Sequence, residues 1–168
     1  MIAEFIYQPT SGQFEEKSFD LETIWKSPEW CWVKFITDNG NEWVGAFRGA
    51  PVKTAIAKEI RQVAILTSDC LYILDNEKKT VLFQETQTQY KDLIEIPTQD
   101  KFLVADYYHI GLLDKNFEFQ YVDTEYSMDF IKFKNYNGAI LNIEFELVPE
   151  YNRVNGFIDT NEWKITYD

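Results

Sequence analysis

Hydrophobic and polar positions alternate most regularly near the end of the chain. Between residues 130 and 134, Ile131 and Phe133 alternate with Lys132 and Lys134. Between 140 and 148, Leu141, Ile143, Phe145 and Leu147 alternate with Asn142, Glu144 and Glu146. A period of two is the signature of a strand with one buried face. Asn137-Gly138-Ala139 between the runs supplies a glycine for a tight loop. The pattern predicts a hairpin with an apolar face on a core and a charged face in water. Pairing across that loop sets Lys132 opposite Glu144.

A second hairpin is predicted over 30–48. Trp30 to Thr37 is rich in aromatic and β-branched residues, Asp38-Asn-Gly-Asn41 is turn chemistry, and Glu42 to Phe47 returns. Residues 2–8 read as a strand, and Glu162–Tyr167 as the last one. From Val63 the chain reads as a run of short strands: 63–67, 71–74, 80–85, 93–97, 102–106, 110–113 and 117–122. Turn-like segments separate them, at Thr67-Ser-Asp69, Asp75-Asn-Glu-Lys78, Thr98-Gln-Asp100 and Asp114-Lys-Asn116. Two short helices are expected elsewhere. Asp20 is placed to cap one, with Leu21, Ile24 and Trp25 on one side and Pro28 ending it. Pro51 is placed to begin the other, running to Arg61 with Val52, Ala55, Ile56 and Ile60 at helical spacing.

One internal echo stands out. Ala64-Ile-Leu-Thr through Leu74-Asp75 aligns with Leu103-Val-Ala-Asp through Leu113-Asp114 at an offset of 39 residues. That length is about one β-propeller blade. The echo carries no signature dipeptide, and two copies are too few to close a ring, so it reads as meander geometry. The fold class expected is mainly β: an antiparallel β-meander, sandwich-like, with one or two short helices. Residues 1–168 show no linker and read as a single domain.

Composition sharpens this picture at two points. Aromatic residues make up 17% of the 168 residues, which favours pleated, half-buried surfaces. The net charge is −12, from 28 acids against 16 bases. That balance argues against nucleic acid as a partner, since phosphate neutralisation needs clustered Lys and Arg. An anionic membrane surface is disfavoured for the same reason. No apolar run approaches the length that spans a bilayer, and the first residues lack a basic, signal-like segment. A soluble, cytoplasmic protein is the expectation. Cys31 and Cys70 both lie in apolar segments and read as buried free thiols.

Little in the chain points to catalysis. There is one histidine, His109, and no Gly-x-Ser-x-Gly elbow. One His and two distant Cys make a poor zinc set, and Asp38-Asn-Gly-Asn-Glu42 has its glycine too early for a calcium loop. No phosphate-binding glycine loop occurs. We expect no catalytic residue, cofactor or metal. What remains is surface chemistry. Residues 100–130 hold seven acids, Asp100, Asp106, Asp114, Glu118, Asp123, Glu125 and Asp129, against Lys101 and Lys115. Tyr107, Tyr108, Tyr121 and Tyr126 are interleaved with them. Acids steer a cationic partner and tyrosines anchor it. The expected binding residues are Asp106, Tyr107, Tyr108, Asp123, Glu125 and Tyr126, and the expected partner is a basic protein. The function expected is a non-catalytic interaction protein, of the small acidic inhibitor or immunity type. The alternatives are a hydrolase with a carboxylate-based site, or a β-barrel holding a small apolar ligand near Trp30–Trp43.

Overall fold

The computed structural model describes residues 1–86, 88–97 and 99–167. Among them every regular element is a strand, and no helix is long and apolar enough to cross a membrane. Contacts divide the chain into two compact units, Met1–Thr88 and Gln89–Asp168. The division falls in Thr86-Gln-Thr-Gln-Tyr90, which has no glycine, proline or low-complexity composition to mark it.

The first unit holds two four-stranded sheets. One is mixed, in the order β1 (Ile2–Ile6), β3 (Trp30–Ile36), β4 (Glu42–Arg48) and β2 (Glu15–Phe19), with β2 parallel to β4. The other is an antiparallel meander of β5 (Pro51–Ala57), β6 (Gln62–Thr67), β7 (Cys70–Asp75) and β8 (Thr80–Thr86). The core gathers Phe19, Val33, Phe35, Trp43, Phe47, Ile65 and Tyr72. Trp43 stacks on Phe35 with ring centroids 4.1 Å apart, and its indole N–H donates to Asn76 Oδ1 at 3.1 Å. Cys31 and Cys70 are buried free thiols, each pushed up to about 12 by desolvation.

The second unit is two further meanders. They are β9 (Asp92–Ile96), β10 (Lys101–Ala105), β11 (Ile110–Leu113) and β12 (Phe119–Tyr121), then β13 (Met128–Asn137), β14 (Ile140–Leu147), β15 (Asn152–Asp159) and β16 (Lys164–Tyr167). Leu103, Ile110, Ile131, Phe133, Leu141, Ile143 and Phe145 lie in its core. Among the described residues the sheets are open, each with two edge strands, and none closes into a barrel. The 39-residue echo matches equivalent strands: β6 and β7 are the second and third strands of one meander, and β10 and β11 of the next. These four strands are buried along almost their whole length, which is why they read as continuous apolar runs.

Both predicted helices are absent. Residues 51–57 form β5, paired to β6 from Pro51↔Thr67 to Ala57↔Gln62. Val52, Thr54 and Ile56 are β-branched and alternate, and tertiary pairing overrides their helical spacing. The turn that follows is closed by Arg61 N–H donating to the Lys58 carbonyl at 3.1 Å, with Arg61 at φ 56°. A left-handed residue that is not glycine or asparagine leaves no turn signal in sequence. Asp20 caps no helix. Its carboxylate takes the Arg48 guanidinium as a fork, Oδ1–Nε 3.0 Å and Oδ2–Nη2 2.9 Å, and Lys26 at 3.0 Å. Leu21 is buried, while Ile24 and Trp25 are exposed on an irregular loop. Of the predicted turns, Thr98 in Thr98-Gln-Asp100 lies outside the described residues.

Candidate protein-docking surface

Seven rings of the second unit form an unbroken chain of contacts. Tyr90 stacks near Phe119 at 6.2 Å, and Phe119 meets Tyr121 edge-on at 5.0 Å. Tyr121 meets His109 at 5.3 Å, and His109 meets Tyr108 at 6.3 Å. Tyr108 lies 6.1 Å from Tyr107, which meets Phe130 at 5.4 Å. Six of these rings are exposed, Tyr108 at 57% and Tyr121 at 60% with Tyr107, His109, Phe119 and Phe130, while Tyr90 at the end of the row is half-buried. Isolated surface aromatics need no explanation, whereas a contiguous apolar patch marks an interaction site.

Local structure explains how the row is held. Phe119 and Tyr121 alternate with Gln120 on the edge strand β12, so both point to one side. The Phe119 ring lies over Gly111 of β11, the diagonal neighbour in the register Leu113↔Phe119 and Gly111↔Tyr121; a Cβ at Gly111 would collide with that ring. Tyr107, Tyr108 and His109 occupy the β10–β11 turn. Asp106 Oδ1 accepts the backbone N–H groups of Tyr108 and His109, at 2.6 and 2.7 Å, and Oδ2 lies 3.3 Å from His109 Nδ1. That Asx geometry fixes the turn.

Phe130 is placed by strain. In β13 three steps from Asp129 to Lys132 match two steps of β14, from Glu146 to Glu144, so one extra residue is inserted. The bulge resets the alternation: Met128 is buried before it, Ile131 and Phe133 after it, and Phe130 is thrown outward at φ 50°. Among the described residues six other non-glycine residues have positive φ, but all lie in turns; Phe130 is inside a strand. A bulky residue there costs on the order of 1–2 kcal/mol. Buried Asp92 supports the bulged strand, its Oδ2 accepting the Phe133 N–H at 2.7 Å.

The electrostatics of the two units differ. In the first, Asp20, Asp38, Glu42, Asp75, Glu77 and Glu15 each pair with a cation. In the second, sequence alone gives 15 acids against 7 bases, a net of −8. Among the described residues, none of the seven acids between 100 and 129 pairs with Lys or Arg; Asp106 faces His109 only. Asp106, Glu118, Asp123 and Asp129 each lie within two residues in sequence of a ring in the row.

The fold does not bring all six expected binding residues together. Asp106, Tyr107 and Tyr108 belong to the row. Asp123 is exposed and shares a hollow with Tyr121. Glu125 is exposed and, with Tyr126, lines an adjoining open groove of about 610 Å³ that shares Asp123 and Trp163 with that hollow. Tyr126 is half-buried, packing edge-on to Tyr167 at 5.0 Å. Tyr90, His109, Phe119, Tyr121 and Phe130 complete the row and are not among those six. A signal for Phe130 existed in the sequence: Met128 and Ile131 cannot both face inward on a regular strand. On the first unit, Phe5, Tyr7, Trp30, Trp32 and Pro51 line an apolar groove of about 450 Å³; Trp43 is buried elsewhere in the core. No cluster of three or more metal-ligating side chains occurs among the described residues. What the fold and this surface define is an all-β protein of four-stranded sheets bearing an exposed aromatic row in an acidic field. Neither a protein-family model nor a curated protein matches the sequence.

Proposed function

We propose that this is a non-catalytic interaction protein, of the small acidic inhibitor or immunity type, whose second unit docks and masks a basic protein. The observation that carries the reading is the pairing of a contiguous exposed ring row with acids that no internal base neutralises. Such acids attract a cationic partner and raise its association rate. The rings then supply rigid contact area at low entropic cost. The strained backbone at Phe130 supports the same reading, because it holds that ring outward against Tyr107 instead of in the core. Association should slow as salt rises, since exposed charges are screened over about 8–10 Å at physiological ionic strength.

The test compares two immobilised proteins in extracts of the source organism, the natural chain and Tyr108→Ser/Tyr121→Ser, with retained proteins identified by mass spectrometry. The expected result is a protein of basic isoelectric point retained by the first and lost by the second. For that complex, Asp123→Lys/Glu125→Lys should lower the association rate and Tyr107→Ala should raise the dissociation rate. Retention of the same proteins by both baits, or of acidic proteins only, overturns the reading.

A further inference from the structure

Lys91 lies against an aromatic face of the row. It is exposed, and its ammonium lies 5.0 Å from the centroid of the Tyr107 ring. Its backbone is fixed beside the end of β10 by its N–H donating to the Ala105 carbonyl at 2.6 Å. Among the described residues no carboxylate stands within 4.0 Å of that ammonium, although the unit carries about twice as many acids as bases. The ring it covers is the one that joins Tyr108 to Phe130 in the aromatic row. An aromatic face attracts ammonium and guanidinium groups through its quadrupole.

We propose that Tyr107 is a cation site for an arginine or lysine side chain of the partner, and that Lys91 is its resident occupant in the free protein, displaced on docking. The proposal rests on the reading of the row as a docking surface and adds the chemical group recognised and a built-in competitor. A partner cation must first remove Lys91, so Lys91 lowers the affinity the ring would otherwise have. At an exposed site the competing contact corresponds to a factor of about 2–5.

The test titrates a hexa-arginine peptide into the purified protein and follows binding by calorimetry at fixed ionic strength. Lys91→Met keeps the aliphatic stem and removes the cation. Lys115→Met removes an equal charge from the same unit and controls for the general rise in negative field. Lys91→Met should bind the peptide about 2–5-fold more tightly than Lys115→Met. Adding Tyr107→Leu, with the fold checked by circular dichroism, should abolish the excess. Equal gains from Lys91→Met and Lys115→Met overturn the proposal, as does an excess that survives Tyr107→Leu. Tyr108→Ser separates the two levels. If it weakens hexa-arginine binding while the two lysine variants match, the docking surface stands and the cation site falls. If it too changes nothing, both fall.

Discussion

The ring of Phe130 stands edge-on to the ring of Tyr107, at 88° with centroids 5.4 Å apart, and it does so from a backbone in the left-handed region. The strand thus holds an unfavourable conformation to keep a ring outside the core. Replacing Phe130 by glycine relieves that conformation and deletes the ring contact, two effects of similar size, each on the order of 1 kcal/mol. Phe130→Gly should therefore leave unfolding free energy within about 1 kcal/mol of the natural protein while weakening binding at the row. Denaturant unfolding decides it. A loss above about 3 kcal/mol is the behaviour of a core aromatic and would contradict an exposed, functional role.

The loop from Asp20 to Glu29 presents Ile24 and Trp25 to solvent and is tied at its base. Arg48 grips Asp20, lies over the Trp30 ring at 3.8 Å and donates to the Ser27 carbonyl at 3.3 Å; Asp69 accepts the Ser27 N–H at 2.9 Å. The Arg48 guanidinium, helped by Lys26, holds the Asp20 carboxyl well below the usual carboxylate range. A depressed folded-state value means the anchor is fully present above the unfolded value, near ~3.9, and is lost only as pH falls through the lower folded value. Carbon-13 titration of the Asp20 carboxyl should give a midpoint clearly below ~3.9. A midpoint at or above it would show that the fork does not form in solution.

Burial pushes the thiols of Cys31 and Cys70 up to about 12, so neither holds appreciable thiolate near neutral pH. Ellman's reagent at mildly alkaline pH should label neither thiol in the folded protein and both once guanidinium is added. Rapid labelling of either in the native state would place that cysteine nearer the surface than the fold has it.

The sequence carried those elements whose side chains alternate or whose turns use Gly and Asn. The hairpin over 30–48 is legible because Gly40, at φ 79°, sits where the turn needs it. The last hairpin is legible to its register: Lys132 does face Glu144 in the ladder. The ion pairs of Glu144, however, go to Lys134 at 3.0 Å, a diagonal contact in a strand with a second bulge after Phe133, and to Arg153 at 3.6 Å. Bulges shift neighbours by one residue and have no simple composition. The hairpin from β5 to β6 was hidden for the reason that Arg61, and not glycine, takes the left-handed turn position. The surface was partly legible, because Tyr107 and Tyr108 sit beside Asp106. The ring chain itself was not, since Phe119 and Phe130 join it only when β12 packs on Gly111 and β13 bulges.

A cation-rich ligand should land on the aromatic row of the second unit. Amide and aromatic chemical shifts of the labelled protein, followed during titration with hexa-arginine at physiological salt, locate that contact residue by residue. Saturable shifts should concentrate at Tyr107, Tyr108, His109, Phe119, Tyr121 and Phe130. Shifts spread over acids of both units with the aromatic row unmoved would contradict docking there.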